Sequence, residues 1–357
     1  MTLKANNIVG DYLKGELTDD INCKSKKNKF ILVNNITFSN IKKIIKFKAV
    51  LIVNKLNEIE HESILFKDLY IPYVEGVGKA AQKILGQNIK LVCEKKSFSS
   101  KNKKTAFSSS ISGMRYHYEN NIKVIASRGE FILLHKLIDH PLKEIETKEG
   151  YLKLFRHIYE TKKYAAKHFN KVIYRFSDFS TENMNQFKSF SNIEITEMNP
   201  SLGNRGALRL LNDHKKLFLL ELDVMNKLME EYNNIDLLIP FVRSVDEAKK
   251  ISKIIRNRVK KQFKLGCMIE VPSMLFYGRE LSKYFDFFII GTKDLSQLIS
   301  GVSRNKLQEI NNTDRLIALL LSKYFLPSIN KNKNILVTSS NILKLLKSDR
   351  KSKIYCL

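Results

Sequence analysis

Cysteine, acidic residues and long apolar runs are all scarce in this chain of 357 residues. The four cysteines, Cys23, Cys93, Cys267 and Cys356, stand far apart and form no CxxC pair. That excludes a disulfide scaffold and a zinc knuckle, and it suits a reducing cytoplasm. No apolar run approaches the ~18–20 residues of a membrane-spanning helix, so an integral membrane protein is excluded and no membrane partner is expected. The opening residues, Met1 to Asn7, carry no apolar core of the signal-peptide kind. What is plentiful is apolar side chain: 43% of the composition, enough for a sizeable core. At roughly 100–200 residues per domain, the length predicts two domains, or a large barrel with a small companion.

Acidic residues number 36 against 62 lysines and arginines, a formal charge of +26. Clustered cations would release counterions from nucleic-acid phosphate. Here the lysines are spread along a chain rich in Lys, Asn and Ile, the bias of AT-rich coding sequence. Runs such as Lys24–Lys29 read as solvated loops. Nucleic acid is therefore not the expected partner, and anionic small molecules suit a basic protein equally well.

Periodicity divides the chain. Residues 1–95 read as a small α/β unit, with short apolar strands at Phe30–Val33, Ala49–Val53, Ile71–Val74 and Ile89–Cys93 and a helix over Ile41–Phe47. Residues 96–120 are polar and serine-rich and read as a linker. Residues 121–357 alternate again. Strands are predicted at Lys123–Ala126, Val172–Arg175, Asp236–Phe241, Gly266–Val271, Phe285–Ile290, Ile335–Val337 and Lys353–Leu357. The intervening helices include Tyr151–Phe169, Leu208–Tyr232 and one from Ser244, where Ser244 and Glu247 form a capping box. Such alternation fits a (β/α)8 barrel of the TIM type, incomplete at its first strand, or a doubly wound sheet.

Barrel enzymes place their chemistry where strands end, and here those ends are polar. Arg175-Phe176-Ser177-Asp178 follows one predicted strand, Glu270 ends another, and Gly291-Thr292-Lys293-Asp294 a third. Carboxylates on adjacent strands are what a hard cation such as Mg²⁺ requires. Several arginines at one mouth would hold a phosphate or carboxylate in fork geometry.

Asn199–Gly206, Ile239–Ala248, Met268–Ser273 and Tyr284–Thr292, taken together and in order, resemble the phosphoenolpyruvate-binding barrel of the PEP-utilizing enzymes. That family contains phosphoenolpyruvate synthase, pyruvate phosphate dikinase and the first enzyme of the bacterial sugar phosphotransferase system. Arg175–Phe179 and Pro240–Ala248 are closest to the synthase branch. The resemblance implies a swivelling phosphohistidine α/β domain ahead of the barrel. His61, eleven residues before Pro72, matches the phosphorylated histidine. It further implies that Arg128, Arg175, Arg205 and Arg304 grip the phosphoryl and carboxylate groups of phosphoenolpyruvate. Lys293 faces the substrate where the family has asparagine, and Glu270 and Asp294 are the Mg²⁺ ligands.

Three departures bear on activity. Leu56, Asn57 and Ile59 replace the paired glycines and threonine before the histidine. Lys293 puts an ammonium beside the metal aspartate. The family's catalytic cysteine after the last barrel strand is absent, the sequence there being Val337-Thr338-Ser339-Ser340. The implied function is Mg²⁺-dependent phosphoryl exchange between a phosphohistidine and pyruvate or phosphoenolpyruvate. No ATP-binding domain precedes His61 here, so a separate ATP-binding chain is the expected phosphoryl donor. A homodimer through the barrel is left open. The alternative is a degenerate, non-catalytic relative that binds phosphoenolpyruvate, pyruvate or a partner protein.

Overall fold

Strand–helix alternation builds two sheets, one in each of two units, 1–102 and 103–357. The computed structural model describes residues 2–6, 12–56, 61–69, 71–93, 105–199, 202–302, 313–329, 332–346 and 354–356.

In the first unit the strands are β1 (Thr2–Ala5), β2 (Tyr12–Thr18), β3 (Lys29–Val33), β4 (Ala49–Ile52), β5 (Tyr73–Glu75) and β6 (Asn88–Cys93). Their order is β1-β6-β2-β3-β4-β5, parallel throughout except where β2 meets β6. All four residues of β4 are buried, the pattern of a strand covered on both faces. Phe30, Leu32, Leu51, Ile89 and Leu91 form the core with Ala5 and Leu17 from β1 and β2. Those two strands are absent from the periodicity reading because Lys4, Lys14, Gly15 and Glu16 break their apolar runs. Gly15 is required there: a Cβ would come within 2.7 Å of the Phe30 ring. His61 is the first residue of a helix, His61–Asp68, and residues 57–60 before it, with the departures Asn57 and Ile59, lie outside the described residues.

The second unit holds β7 (Thr105–Phe107), β8 (Val124–Arg128), β9 (Lys171–Arg175), β10 (Ile235–Ile239), β11 (Leu265–Ile269), β12 (Phe287–Ile290), β13 (Asn334–Val337) and β14 (Ile354–Cys356). Each pairs with the next, all parallel and in chain order. This is the strand order of a (β/α)8 barrel, and the chain is an α/β protein of that type. Ala126, Ile173, Leu238, Met268, Phe287 and Ile289 pack together across β8 to β12, as the side chains filling a barrel do.

The linker expected at 96–120 is corrected by this sheet. Residues 96–104 lie outside the described residues, but 105–107 form the first barrel strand and Ile111–Glu119 a helix. Within the serine-rich stretch, Ser108, Ser109 and Ser110 are buried and hydrogen-bonded. Ser109 Oγ accepts from the Arg128 N–H at 3.1 Å, and Ser110 Oγ caps the helix through the Gly113 N–H at 3.0 Å. A three-residue strand followed by buried hydroxyls leaves no apolar period to read. The barrel is therefore not short of its first strand.

Two helix expectations also shift. The segment 208–232 splits into Gly206–Leu211 and Lys215–Glu231. Ser244 caps its helix as expected, accepting from the Glu247 N–H at 3.1 Å, but the Glu247 carboxylate reaches back to the Arg243 N–H rather than to Ser244.

Candidate active site

Parallel barrel strands bring their carboxyl ends to one face. Arg128 ends β8 and Arg175 ends β9, while Phe241, Glu270, Asp294 and Thr338 follow β10, β11, β12 and β13.

Arg175 is buried. Its Nη2 bonds to Glu130 Oε1, and its Nη1 lies 3.8 Å from Asp178 Oδ2 and 3.5 Å from Met268 Sδ. Its Nε is buried with no hydrogen-bond partner among the described residues. Arg205 stands just before the helix Gly206–Leu211. It grips Asp178 through Nε (3.1 Å to Oδ1) and Nη2, and its Nη1 reaches Asp294 Oδ1 at 3.5 Å. Its guanidinium stacks on the Phe241 ring at 4.2 Å, and Arg243 covers that ring at 4.7 Å. Arg243 spends its donors on the carbonyls of Leu202, Gly203 and Arg205, at 3.3, 2.6 and 2.9 Å, and so clamps the loop that carries Arg205.

Phe241 has φ 46°, left-handed and strained for a phenylalanine. That conformation turns its N–H onto Glu270 Oε1 at 2.7 Å. Gly206 (φ 59°) makes room, since a Cβ there would sit 2.3 Å from Phe241 Cβ. Gly291 serves the same purpose beside Glu270, where a Cβ would fall 2.6 Å from Oε2. The turn after β12, which leads into the helix Thr292–Ser300 and Asp294, thus lies directly against the Glu270 carboxylate.

Burial, with the Asp294 and Asp178 charges adding to it, pushes Glu270 up to about 7 against the pull of Arg175 and Arg205. Glu130, Asp178, Glu270 and Asp294 outnumber the two guanidinium groups they surround. A divalent cation would relieve that excess, and the donors facing it are hard oxygens, so the residues fit Mg²⁺. Without a cation, folding raises the proton affinity of Glu270, so between its ordinary 4.5 and about 7 the folded chain holds a proton the unfolded chain has released. The stability this provides is present at low pH and lost as pH rises through 7. Glu270→Gln should therefore stabilise the cation-free chain above pH 7 by roughly 1–3 kcal/mol, seen as a higher Tm, and change little near pH 4.5. Thermal scans across pH in a chelator check this.

The other sequence-derived residues are distributed as follows. Arg128 is half-buried over the rings of Phe107 and Phe131, at 5.7 and 5.2 Å. Lys293 is exposed, next to the buried Asp294. Arg304 lies outside the described residues, and His61 belongs to the other unit. Glu130, Asp178, Phe241 and Arg243 were not singled out from sequence. Asp178, Phe241 and Arg243 lie within strand-end motifs quoted above and Glu130 stands two residues after Arg128, and that placement was the available signal.

A second cluster has the donor set of a zinc site. His140, Glu194 and His214 bring their ligand atoms within 4.8 Å of one another. A guanidinium already fills the cation's place. Arg209 Nη1 and Nη2 hold the two Glu194 oxygens at 2.5 and 2.9 Å, with Nη1 also 3.1 Å from His214 Nε2. His140 Nδ1 accepts from the Leu142 N–H at 3.3 Å, which leaves Nε2 as the donor to Glu194 at 2.8 Å. Burial alone would raise Glu194, but the bonds from His140, His214 and Arg209 hold it well below the usual carboxylate range. This cluster is a lock that pins the loop ahead of Arg205.

Residues 119–323 match the family described as PEP-utilising enzyme, PEP-binding domain. Phosphoenolpyruvate synthase of Aeropyrum pernix is 33% identical over 186 residues, covering 50% of this chain and 23% of that protein. Phosphoenolpyruvate synthase of Escherichia coli is 27% identical over 331 residues, 77% of this chain and 41% of that protein. The Escherichia coli protein named phosphoenolpyruvate-dependent phosphotransferase system is 33% identical over 144 residues, 38% and 19% respectively. The chain spans less than half the length of each of these relatives. The family match covers more than half of this chain and includes Arg128, Arg175, Arg205, Glu270 and Asp294, and the chain belongs to the PEP-utilising enzyme family.

Proposed function

We propose that the barrel mouth binds phosphoenolpyruvate and pyruvate together with Mg²⁺. In this reading the chain is a phosphotransferase of the phosphoenolpyruvate synthase type, with His61 as the phosphoryl carrier and a separate ATP-binding chain as the donor. The observation that carries the reading is the buried Nε of Arg175, which has no hydrogen-bond partner among the described residues. A buried N–H with no acceptor is costly, and a phosphoryl or carboxylate oxygen would satisfy it. Arg205, held at the same acidic cluster by Asp178, would supply the second fork, with Arg128 at the neighbouring strand end. Glu270 and Asp294 would hold the cation, which as a Lewis acid stabilises an enolate oxygen when bound. In the exchange, the N–P bond at His61 breaks and a P–O bond forms to the enolate oxygen of pyruvate. The arginines neutralise charge on the phosphoryl oxygens as this happens. Equilibrium binding of phosphoenolpyruvate to the full chain, with and without Mg²⁺, tests the reading.

The second reading, binding without turnover, is favoured by Thr338, which stands where the family's catalytic cysteine is expected. Its hydroxyl donates to the Ile290 carbonyl at 2.9 Å and accepts from the Thr292 N–H at 3.3 Å, with Thr292 Oγ1 at 3.0 Å. A hydroxyl has one proton, and this one is committed to holding β13 against the end of β12. Thr338→Val should therefore leave phosphoenolpyruvate affinity and any deuterium exchange into pyruvate unchanged, and cost about 1 kcal/mol of stability. A drop in exchange measured by NMR would instead make Thr338 a proton donor.

A further inference from the structure

The helix Lys215–Glu231 carries a fully buried carboxylate, Glu221, that none of the steps above uses. Its Oε1 accepts from the Tyr174 hydroxyl at 2.5 Å, the Ser177 N–H at 3.1 Å and the Ser177 hydroxyl at 2.8 Å. Its Oε2 is buried with no hydrogen-bond partner among the described residues. The next backbone N–H, that of Asp178, donates to Glu130 Oε2 at 3.3 Å, and the other Glu130 oxygen holds Arg175. Two successive N–H groups of one turn are thus held by two buried carboxylates. The residues flanking that turn are Arg175 and Asp178, the latter being the anchor of Arg205. The cradle admits no side chain at Gly129, where a Cβ would lie 2.4 Å from Glu221 Oε1, 2.8 Å from Ser177 N and 2.9 Å from the Tyr174 hydroxyl.

A carboxylate is expensive in this setting. Burial pushes Glu221 up to about 7, and one oxygen goes unbonded. Three of its bonds converge on the strand end rather than on helix packing. We propose that Glu221 is a positioning residue: by fixing Ser177 it sets the height of Arg175 and Asp178, and through Asp178 the placement of Arg205. This rests on the phosphoenolpyruvate reading for its functional consequence, but the positioning itself has an independent readout.

The test is hydrogen–deuterium exchange over residues 175–180 in the ligand-free full chain, together with phosphoenolpyruvate affinity in Mg²⁺. Three variants are compared: Glu221→Leu, which removes the acceptor; Glu221→Asp, which retracts it and guards against a Leu variant that does not fold; and Glu221→Gln, which keeps an oxygen in place. The expected result is faster exchange at the turn and affinity weakened at least about tenfold in the Leu and Asp variants, both restored to within about threefold of wild type in the Gln variant. Unchanged exchange in the Leu and Asp variants would overturn the proposal whatever the affinity does. Faster exchange with unchanged affinity would overturn it as well. If exchange follows the variants as described while the wild type binds no phosphoenolpyruvate, the positioning stands and the functional reading falls.

Discussion

Arg175→Ala is expected to remove phosphoenolpyruvate binding almost entirely. Truncating one partner of a buried, hydrogen-bonded charge pair costs roughly 2–5 kcal/mol, or about 30-fold to several thousandfold in Kd. Arg175 stands at the upper end of that range because its buried Nε has no other acceptor among the described residues and its Nη groups already bridge Glu130 and Asp178. The same substitution leaves the Glu130 carboxylate buried without its cation, which costs about 3–5 kcal/mol of stability, while Asp178 keeps Arg205. Arg175→Lys separates the two effects. It keeps the charge against Glu130 and Asp178 but not the planar fork, so most stability should return while affinity stays low. Equilibrium dialysis with radiolabelled phosphoenolpyruvate, alongside thermal melts, reads both. Wild-type affinity in Arg175→Ala would make this arginine structural.

Mg²⁺ and phosphoenolpyruvate are expected to bind cooperatively. In the ligand-free chain Arg205 Nη1 lies 3.5 Å from Asp294, so the arginine proposed for the phosphoryl group and the carboxylate proposed for the cation are engaged with each other. An anion that draws the guanidinium away exposes Asp294, and a cation that takes Asp294 frees the guanidinium. Linkage makes the effect reciprocal, and coupling of roughly 1–3 kcal/mol corresponds to about 5- to 150-fold. Titrating each ligand in the presence and absence of the other should give the same factor twice. Asp294→Asn should reduce that factor towards unity. Equal affinities with and without the second ligand would mean that the contact does not couple the two sites.

The legible parts of this molecule were those with an uninterrupted apolar pattern. Buried parallel strands such as Leu265–Ile269 and Phe287–Ile290 have every residue buried, so an apolar run marks them and polar residues mark their ends. For that reason Arg175, Glu270 and Asp294 could be placed at a mouth before any fold was known. The first barrel strand was hidden because Thr105–Phe107 is short and its neighbours Ser108, Ser109 and Ser110 are buried by hydrogen bonding rather than by hydrophobicity. The carboxylates that hold the arginines were hidden for another reason. A buried Glu130 or Glu221 has the same local sequence signature as a solvated one, and only the fold brings Glu130 onto Arg175, 45 residues away, or Glu221 onto Ser177, 44 residues away. The strain at Phe241 is likewise set by its neighbours in space, Gly206 and Glu270.

The most direct measurement is a calorimetric titration of phosphoenolpyruvate into the full chain, run with Mg²⁺ and again in a chelator. Binding of one phosphoenolpyruvate per chain in Mg²⁺, weakened at least about fivefold without it, is the predicted result. Absence of binding under both conditions would contradict the assignment of this barrel mouth as a phosphoenolpyruvate site.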